Sequence, residues 1–317
     1  MSLLINRPGV LTTIQDLGRQ GHRDLGINPS GAMDRTALVI LNILLGNDPC
    51  EAGIEMHFPA VDAVFEKAAT FAIGGADFGP ILDGEAVPFW TTLRAGPASR
   101  LTFAEPGRGA RAYLSVSGGF DLPEWLGSRS TNLAAKAGGV DGRALGAGDR
   151  LPFRGGIGEA TSGLTAGRSI IPIYSRHPTV RVVPGAEFGL LTAMGEGVFR
   201  DSSFTVTNDS NRMGYRLAGP RLPLLHEKEL LSAAVTYGTI QLMPDGSLTI
   251  LMADHQTSGG YPRMGGVIGP DLPLLAQLVP GEKVSFHVID MEETERATIA
   301  HERDLAVLRT AVRLRGS

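Results

Sequence analysis

Short apolar runs separated by glycine and proline are the feature that most constrains the fold of this chain. The runs are β-branched or alternate apolar with polar residues, a pattern typical of strands. They occupy residues 70–73, 100–103, 112–116, 179–183, 239–242, 248–252 and 283–288. Among 317 residues there are 42 glycines and 20 prolines without collagen or linker periodicity, so the sequence predicts many tight turns between the strands. We therefore expect a mainly β fold.

Two Asp-Gly pairs and two helical segments add detail to this prediction. Asp83-Gly84 and Asp245-Gly246 lie between apolar runs, and Asp-Gly is a hairpin-turn signal. Residues 33–45 carry apolar side chains at helical spacing and end at Gly46-Asn47, which is a stop signal. Residues 292–315 form a second, charged helix candidate. Helices are thus expected to be few.

The charge and the single cysteine exclude several classes of protein. A net charge of -4 argues against a general nucleic-acid binder, which would need a basic face. Cys50 is the only cysteine, so an intrachain disulfide and a cysteine-rich metal site are excluded. We expect Cys50 to be a buried structural thiol rather than a nucleophile. A reduced, cytoplasmic setting fits, and neither a signal segment nor a membrane-spanning run is expected.

The glycine-rich and serine-rich stretch at residues 155–167 predicts a domain boundary. The first domain is expected to span residues 1–160, and the second to span residues 161–317 with a C-terminal helical tail. A faint internal repeat suggests that the two are related. The matching pairs are Ser117-Gly118-Gly119-Phe120 with Ser258-Gly259-Gly260-Tyr261, Asp121-Leu122-Pro123 with Asp271-Leu272-Pro273, and residues 148–153 with residues 281–286.

Several well-known catalytic motifs are absent from the sequence. It lacks a P-loop, a His-Glu-x-x-His zinc motif, a Gly-x-Ser-x-Gly nucleophile elbow and a dinucleotide-binding glycine motif. The histidines show no ligand spacing, so no metal site is predicted. Any chemistry would therefore use scattered polar side chains or a cofactor brought by a partner.

The loop at residues 253–263 is the first candidate binding segment. It follows an apolar run and spends about ten residues where a plain hairpin needs two to five. Asp254 could act as an acid or base, Gln256 and Thr257 could hold an amide or carboxylate, and Tyr261 could cover a ring face. The alternative is a surface loop without function.

Three further segments combine arginines with hydroxyl and amide side chains. Arg19 and Ser30 precede the first helix, where backbone N–H groups favour anions. Arg129 and Ser130 lie in a hydroxyl-rich run at residues 127–132. These residues are candidates for an anion grip. The alternatives are a helix cap at Ser30 or Asp34 with Asp16 paired to an arginine, and a satisfied turn.

The third of these segments is residues 208–217, just before and within a strand-like run. Arg212 and Tyr215 are candidate substrate-binding residues there. The alternative is a local structural pair between Asp209 and Arg212.

Taken together, these segments resemble the biotin-dependent carboxyltransferase-type family of allophanate hydrolase subunit 2, KipA-like proteins and the C subunit of 5-oxoprolinase. The matching segments are residues 9–19, 29–35, 74–78, 127–131, 211–217, 253–262, 271–273 and 275–278. The chain departs from the family at His255, where arginine is usual, and at Met264-Gly265-Gly266. The tail after Asp290 lies outside the family signature.

The resemblance implies two cyclophilin-like β-barrel domains and a role as the C subunit of an ATP-dependent 5-oxoprolinase. Such a complex opens 5-oxo-L-proline to L-glutamate, and ATP is its co-substrate. Its other members are an A subunit and a KipI-like B subunit, which is similar to allophanate hydrolase subunit 1. Under this interpretation Arg19, Arg129 and Arg212 are anion clamps and Tyr261 packs on the ligand. Asp254 and Asp77 are the candidate catalytic acid or base.

Two alternatives follow from the same resemblance. The chain could be a carboxyltransferase acting on a urea-like amide, with biotin supplied by a partner, because it has no Ala-Met-Lys-Met biotinylation site. It could also be a KipA-type regulator that binds a KipI-like kinase inhibitor.

Overall fold

The computed structural model describes residues 1–155, 161–226 and 230–316 and groups them into two compact units. Unit 1 comprises Met1–Arg19, Ser30–Pro172 and Glu302–Ser317. Unit 2 comprises Gln20–Pro29 and Ile173–His301. The expected boundary between residues 160 and 161 stays a prediction, because residues 156–160 lie outside the described residues.

Unit 1 contains two antiparallel sheets that share one apolar core. Its strands are β1 (Ser2–Arg7), β2 (Thr12–Gln15), β3 (Gly53–Met56), β4 (Asp62–Phe65), β5 (Ala69–Gly75), β6 (Pro80–Leu82), β7 (Glu85–Ala86), β8 (Thr92–Ala95), β9 (Arg100–Phe103), β10 (Ala112–Val116) and β11 (Arg150–Pro152). One sheet has the order β11-β1-β4-β9-β6-β7 and the other β2-β3-β10-β5-β8. Phe65 from the first and Phe71 from the second lie with ring centroids 4.8 Å apart in a common cluster of buried side chains.

Helix α1 (Arg35–Leu44) packs against β5 and β10 of unit 1. It begins two residues later than predicted because Asp34 is its N-cap, accepting the backbone N–H of Ala37 at 2.9 Å. The predicted turn at Asp83-Gly84 is confirmed between β6 and β7. Both of its residues have positive φ, as a two-residue hairpin turn of this kind requires.

Unit 2 is built around a closed barrel. Its strands are β12 (Thr179–Pro184), β13 (Ser203–Val206), β14 (Gly214–Ala218), β15 (Ala233–Ala234), β16 (Thr239–Leu242), β17 (Leu248–Leu251), β18 (Ser258–Gly259), β19 (Arg263–Val267) and β20 (Lys283–Val288). The barrel order is β12-β19-β16-β17-β14-β13-β20, closed by the parallel pair β12 and β20. Strands β15 and β18 form a separate two-stranded ladder.

Three helices follow or interrupt these strands: α2 (Ala193–Asp201), α3 (Leu272–Ala276) and α4 (Met291–Gly316). Helix α4 matches the charged helix candidate at residues 292–315. Helix α2 was not predicted, because two glycines weaken its helical pattern. It is held by the Thr192 N-cap, whose side chain accepts the Gly195 N–H, and by buried Phe199 stacked on Phe286 at 4.8 Å.

The mainly β prediction is confirmed, and one prediction about burial is wrong. Cys50 is exposed, because it lies in the turn after α1 where Asp48 accepts its backbone N–H at 2.8 Å. Desolvation of the thiol by its neighbours and the nearby Asp48 carboxylate raise the pKa of Cys50, which disfavours a nucleophilic role. No helix among the described residues is long and apolar enough to cross a membrane.

Asp62 at the start of β4 supports a prediction about acid stability. Its carboxylate accepts from Arg100 at 2.7 Å and from Arg7 at 3.1 Å, and these bonds lower its pKa to about 2 from 3.8. A lowered native pKa stabilises the fold above pH ~4, and the contribution is lost as the pH falls toward ~2. Because both arginines are exposed, Asp62→Asn should cost about 1–2 kcal/mol of unfolding free energy at neutral pH.

Urea unfolding of Asp62→Asn and wild type between pH 2 and pH 7 measures this contribution. The difference should shrink toward zero at the acid end. Exposed Glu85→Gln serves as the control and should show little difference at any pH. A difference for Asp62→Asn that is constant with pH would contradict the assignment.

Candidate functional site

Asp16, immediately after β2, lies at the centre of a polar cluster of unit 1. Its Oδ1 accepts the backbone N–H of Gly18 at 2.7 Å and the hydroxyls of Ser128 at 2.7 Å and Ser130 at 2.5 Å. Its Oδ2 accepts the Arg129 N–H at 2.6 Å. The hydroxyl-rich run that was predicted to grip an external oxyanion therefore surrounds an internal carboxylate.

Arg19 lies beside this cluster and is almost fully buried, with 1% of its surface exposed. One of its terminal nitrogens donates to the Ser130 carbonyl at 2.5 Å, and its guanidinium carbon lies 4.7 Å from the centroid of the Trp125 ring. Stacking on an aromatic face is a favourable position for a guanidinium. Arg19 and Ser130, predicted as site residues, are thus brought together.

Arg129 reaches the same region but points its guanidinium at acidic side chains. It contacts Glu124 at 2.9 Å and Glu51 at 3.6 Å, and its Nε donates to the Leu122 carbonyl at 3.0 Å. The Arg129 guanidinium is therefore bound by the protein's own carboxylates and is not oriented toward a separate anion-binding site.

In unit 2 the predicted residues Arg212 and Asp254 form a two-point ion pair. Arg212 Nε donates to Asp254 Oδ2 at 2.8 Å, and a terminal nitrogen donates to Oδ1 at 3.1 Å. Both side chains are largely buried, with 9% and 14% exposed. The Asp254 N–H donates to the Arg212 carbonyl, and Asn28 donates to the Asp254 carbonyl, each at 2.8 Å. Asp209, the alternative partner, is not the residue in this pair.

Gln256 and Thr257 of the predicted loop are half-buried, and Tyr261 is exposed. Gln256 donates to Gln241 Oε1 over a long 3.5 Å, and the Thr257 carbonyl accepts the Val235 N–H at 3.2 Å. Tyr261 has 41% of its surface exposed, which leaves its ring accessible. His255, where the chain departs from the resembling family, is buried, and its Nδ1 contacts the Gln256 carbonyl. The binding roles of Gln256, Thr257 and Tyr261 stay predictions.

Tyr215 and Asp77 lie in different surroundings from these clusters. Tyr215 is a buried residue of β14 whose hydroxyl donates to the Leu278 carbonyl at 3.4 Å. Asp77 is exposed in a turn after β5, where its side chain accepts the Gly79 N–H at 3.0 Å and its carbonyl accepts the Gly107 N–H at 2.7 Å. Their proposed substrate and catalytic roles stay predictions.

The arrangement offers two arginines with fixed orientation, Arg19 in unit 1 and Arg212 in unit 2. A guanidinium held by a neighbouring acceptor loses little entropy when it meets a planar anion, which favours carboxylate or phosphate binding. Among the described residues, no group of three or more His, Cys, Asp or Glu is arranged to hold a metal ion.

Several residues of these clusters were not among the predicted site residues. They are Asp16, Asn28, Trp125 and Ser128. Asp16 had a detectable signal, because it follows a run of apolar and small polar residues and precedes Leu-Gly-Arg within a segment already considered for anion binding. Ser128 lies in the hydroxyl-rich run at residues 127–132 that was already considered for anion binding, whereas Asn28 and Trp125 carry no local sequence signal that separates them from turn residues.

The chain belongs to the family described as "Carboxyltransferase domain, subdomain A and B", which matches residues 25–288. Two bacterial proteins, each named as the C subunit of 5-oxoprolinase, are similar to it over nearly their whole length. The protein of Escherichia coli is 38% identical over 299 residues, covering 93% of this chain and 94% of that protein. The protein of Haemophilus influenzae is 37% identical over 308 residues, covering 95% of each.

More distant relatives are much longer proteins. The urea amidolyase of Saccharomyces cerevisiae is 28% identical over 321 residues, which cover 96% of this chain but 17% of that protein. The crystal structure of the Kluyveromyces lactis urea amidolyase shares the fold, with a TM-score of 0.91 and 24% identity over 97% of this chain and 20% of that one. The crystal structure of TTHA0988 has a TM-score of 0.81 and 28% identity over 90% of this chain and 55% of that one.

Proposed function

We propose that this chain is the C subunit of an ATP-dependent 5-oxoprolinase that opens 5-oxo-L-proline to L-glutamate together with its A and B subunits. The observation that carries the proposal is the 38% identity to the C subunit of a bacterial 5-oxoprolinase over 93% of this chain and 94% of that protein. Similarity across both full lengths favours a shared role more strongly than a shared domain does.

The reaction explains what the site must supply. A lactam is a resonance-stabilised amide, so its carbonyl is a poor electrophile. Transfer of the terminal phosphoryl group of ATP to the lactam oxygen releases ADP and makes the ring carbon open to attack by water. The C–N bond then breaks, and a second water hydrolyses the resulting acyl phosphate to glutamate and inorganic phosphate. The site must then orient the substrate carboxylate, stabilise negative charge, and protonate the ring nitrogen as it leaves.

The named residues fit these tasks in the following way. Arg212, which Asp254 aligns through Nε and one terminal nitrogen, is the cationic group that we propose for a carboxylate or phosphoryl oxygen in unit 2. Arg19, aligned by Ser130 and Trp125, is the cationic group that we propose for unit 1. Asp254 aligns Arg212 and is the candidate proton donor or acceptor, while Tyr261 covers the ring.

Reconstitution tests this proposal directly. The chain is combined with the purified A and B subunits, and ATP hydrolysis and glutamate formation are measured with and without 5-oxo-L-proline. We expect both products only when all three proteins, ATP and 5-oxo-L-proline are present. ATP hydrolysis at the same rate with and without 5-oxo-L-proline would contradict the proposal. Glutamate formation at the same rate with and without this chain would also contradict it.

A carboxyltransferase is the second candidate function, favoured by the family match and by the similarity to urea amidolyases. The discriminating measurement supplies a biotinylated carrier, bicarbonate and a urea-like amide to the same preparation. Carboxylated product that requires the biotinylated carrier would support this candidate. If the chain binds a KipI-like protein but no preparation turns over either substrate, a regulatory role is favoured.

A further inference from the structure

The segment Ser30–Asp34 of unit 1 is buried and has an unusual backbone conformation. Every residue in it is shielded from solvent, and Ser30 has a φ of +54°. Gly31 follows with a φ of +99°, and a Cβ there would lie 2.8 Å from the Gly18 nitrogen. A left-handed serine is unfavourable and persists only where the surroundings enforce it.

Three hydrogen bonds from consecutive backbone N–H groups help to hold the segment. Ala32 donates to the Asp16 carbonyl at 2.8 Å, which ties the segment to the cluster around Arg19 and Ser130. Met33 donates to Glu55 Oε2 at 2.8 Å, and Asp34 donates to the Tyr113 hydroxyl at 2.7 Å.

Glu55 and Tyr113 are also hydrogen-bonded to each other. Tyr113 donates its hydroxyl proton to Glu55 Oε2 at 2.6 Å, and the two residues lie directly opposite each other on the paired strands β3 and β10. Both strands are central in their five-stranded sheet. The pair is therefore a rigid base under the segment.

Burying the Glu55 carboxylate and the Tyr113 hydroxyl costs desolvation free energy. Glu55 has 2% of its surface exposed and Tyr113 has none. Arg111 Nε lies 4.0 Å from Glu55 Oε1 and compensates part of the charge. Burial and the Glu55 carboxylate raise the pKa of Tyr113, which keeps its phenol protonated as a donor near neutral pH. Apolar residues of similar volume often serve stability as well as buried charged groups, so the pair fits a positional role better than a stabilising one.

We infer that Glu55 and Tyr113 are positioning residues that hold the Ser30–Asp34 segment in place and, through it, the Asp16 cluster that aligns Arg19. Neither side chain contacts the substrate. They act through the Met33 and Asp34 N–H groups, and the shared Asp16 contact links the segment to Arg19. The part of this inference that concerns substrate rests on the proposed function, whereas the clamp on the segment does not.

The test uses Tyr113→Phe and Glu55→Gln in the full chain, with Tyr174→Phe and Glu66→Gln as matched controls. Tyr174 is a buried tyrosine of unit 2, and Glu66 bonds Ser2 and Arg150 in unit 1 away from this segment. Amide hydrogen exchange is measured first, on the chain alone. We expect the Met33 and Asp34 amides to exchange at least about tenfold faster in the two test variants than in the controls.

Kinetics with the A and B subunits supply the second readout. In the test variants kcat/KM for 5-oxo-L-proline should fall about tenfold, while KM for ATP stays within about twofold of wild type. Unchanged exchange at Met33 and Asp34 would overturn the clamp. Faster exchange with unchanged kcat/KM would overturn the positioning role.

Two further results separate the possible failures. If Tyr113→Phe does not fold, Glu55→Gln alone decides the question, because it keeps the shape of the side chain. If the wild-type complex does not consume 5-oxo-L-proline, the proposed function fails and the positioning role fails with it, whereas the exchange measurement still decides whether the pair holds the segment.

Discussion

Asp16→Ala should lower the free energy of unfolding by about 3–5 kcal/mol and abolish measurable turnover of 5-oxo-L-proline by the complex. The substitution removes an acceptor that meets two backbone N–H groups and two serine hydroxyls, all within 2.7 Å. Buried donors left without an acceptor incur their full desolvation cost. The Ser128–Ser130 turn then loses its fixed position, and Arg19 loses the Ser130 carbonyl that aligns it.

Urea unfolding and the reconstituted assay measure the two effects of Asp16→Ala. Asp48→Ala is the control, because Asp48 is exposed and its side chain accepts the Cys50 backbone N–H. It should cost about 1 kcal/mol or less. Asp16→Asn, which keeps one acceptor oxygen, should fall between the two alanine variants. Equal effects at Asp16 and Asp48 would show that the cluster has no special role.

Arg212→Ala should lower the turnover of 5-oxo-L-proline at least about 100-fold and destabilise the chain by about 3 kcal/mol. It removes a guanidinium that makes two hydrogen bonds to Asp254 and leaves that largely buried carboxylate without compensation. Asp254→Ala should destabilise the chain by a similar amount for the converse reason.

The double variant Arg212→Ala/Asp254→Ala separates structure from function. With both charges gone, part of the lost stability should return, giving a coupling of about 1–3 kcal/mol. Turnover should stay low, because the proposed anion clamp is still missing. Arg216→Ala, an exposed arginine of β14, is the matched control and should retain turnover. A double variant that regains turnover would reduce Arg212 to a structural partner of Asp254.

Local patterns predicted much of the fold. Helix α1 and the Asp83-Gly84 turn are specified by residues within a few positions of one another, so sequence periodicity and turn chemistry find them. Helix α2 was missed because its helical pattern is weak, and its stability depends on packing of Phe199 against Phe286, 87 positions apart by residue number. The burial of Cys50 was predicted wrongly because the exposure of its side chain depends on where the turn after α1 lies in the folded protein.

The site was predicted as segments but not as contacts. Arg19, Ser130, Arg212 and Asp254 were all singled out, yet their partners lie far away in the sequence. Asp16 meets Ser128 across 112 positions and Ser130 across 114, and Arg212 meets Asp254 across 42. A single sequence contains no record of such pairings. The arginines were therefore predicted to bind an external anion, whereas the protein's own carboxylates already bind Arg129 and Arg212.

The assignment of Gln20–Pro29 to unit 2 has a consequence for synthesis and for protein engineering. Arg23 bonds the Val235 carbonyl and Asn28 bonds the Asp254 carbonyl, 212 and 226 positions later. A ribosome therefore releases these ten residues long before their partners exist, and unit 2 cannot be completed until Asp254 has been translated. A chain cut at residue 160 would separate Asn28 from Asp254, so a fragment of residues 161–317 would lack part of its own barrel unit. Residue 160 divides the sequence into two halves, but it does not divide the protein into its two compact units.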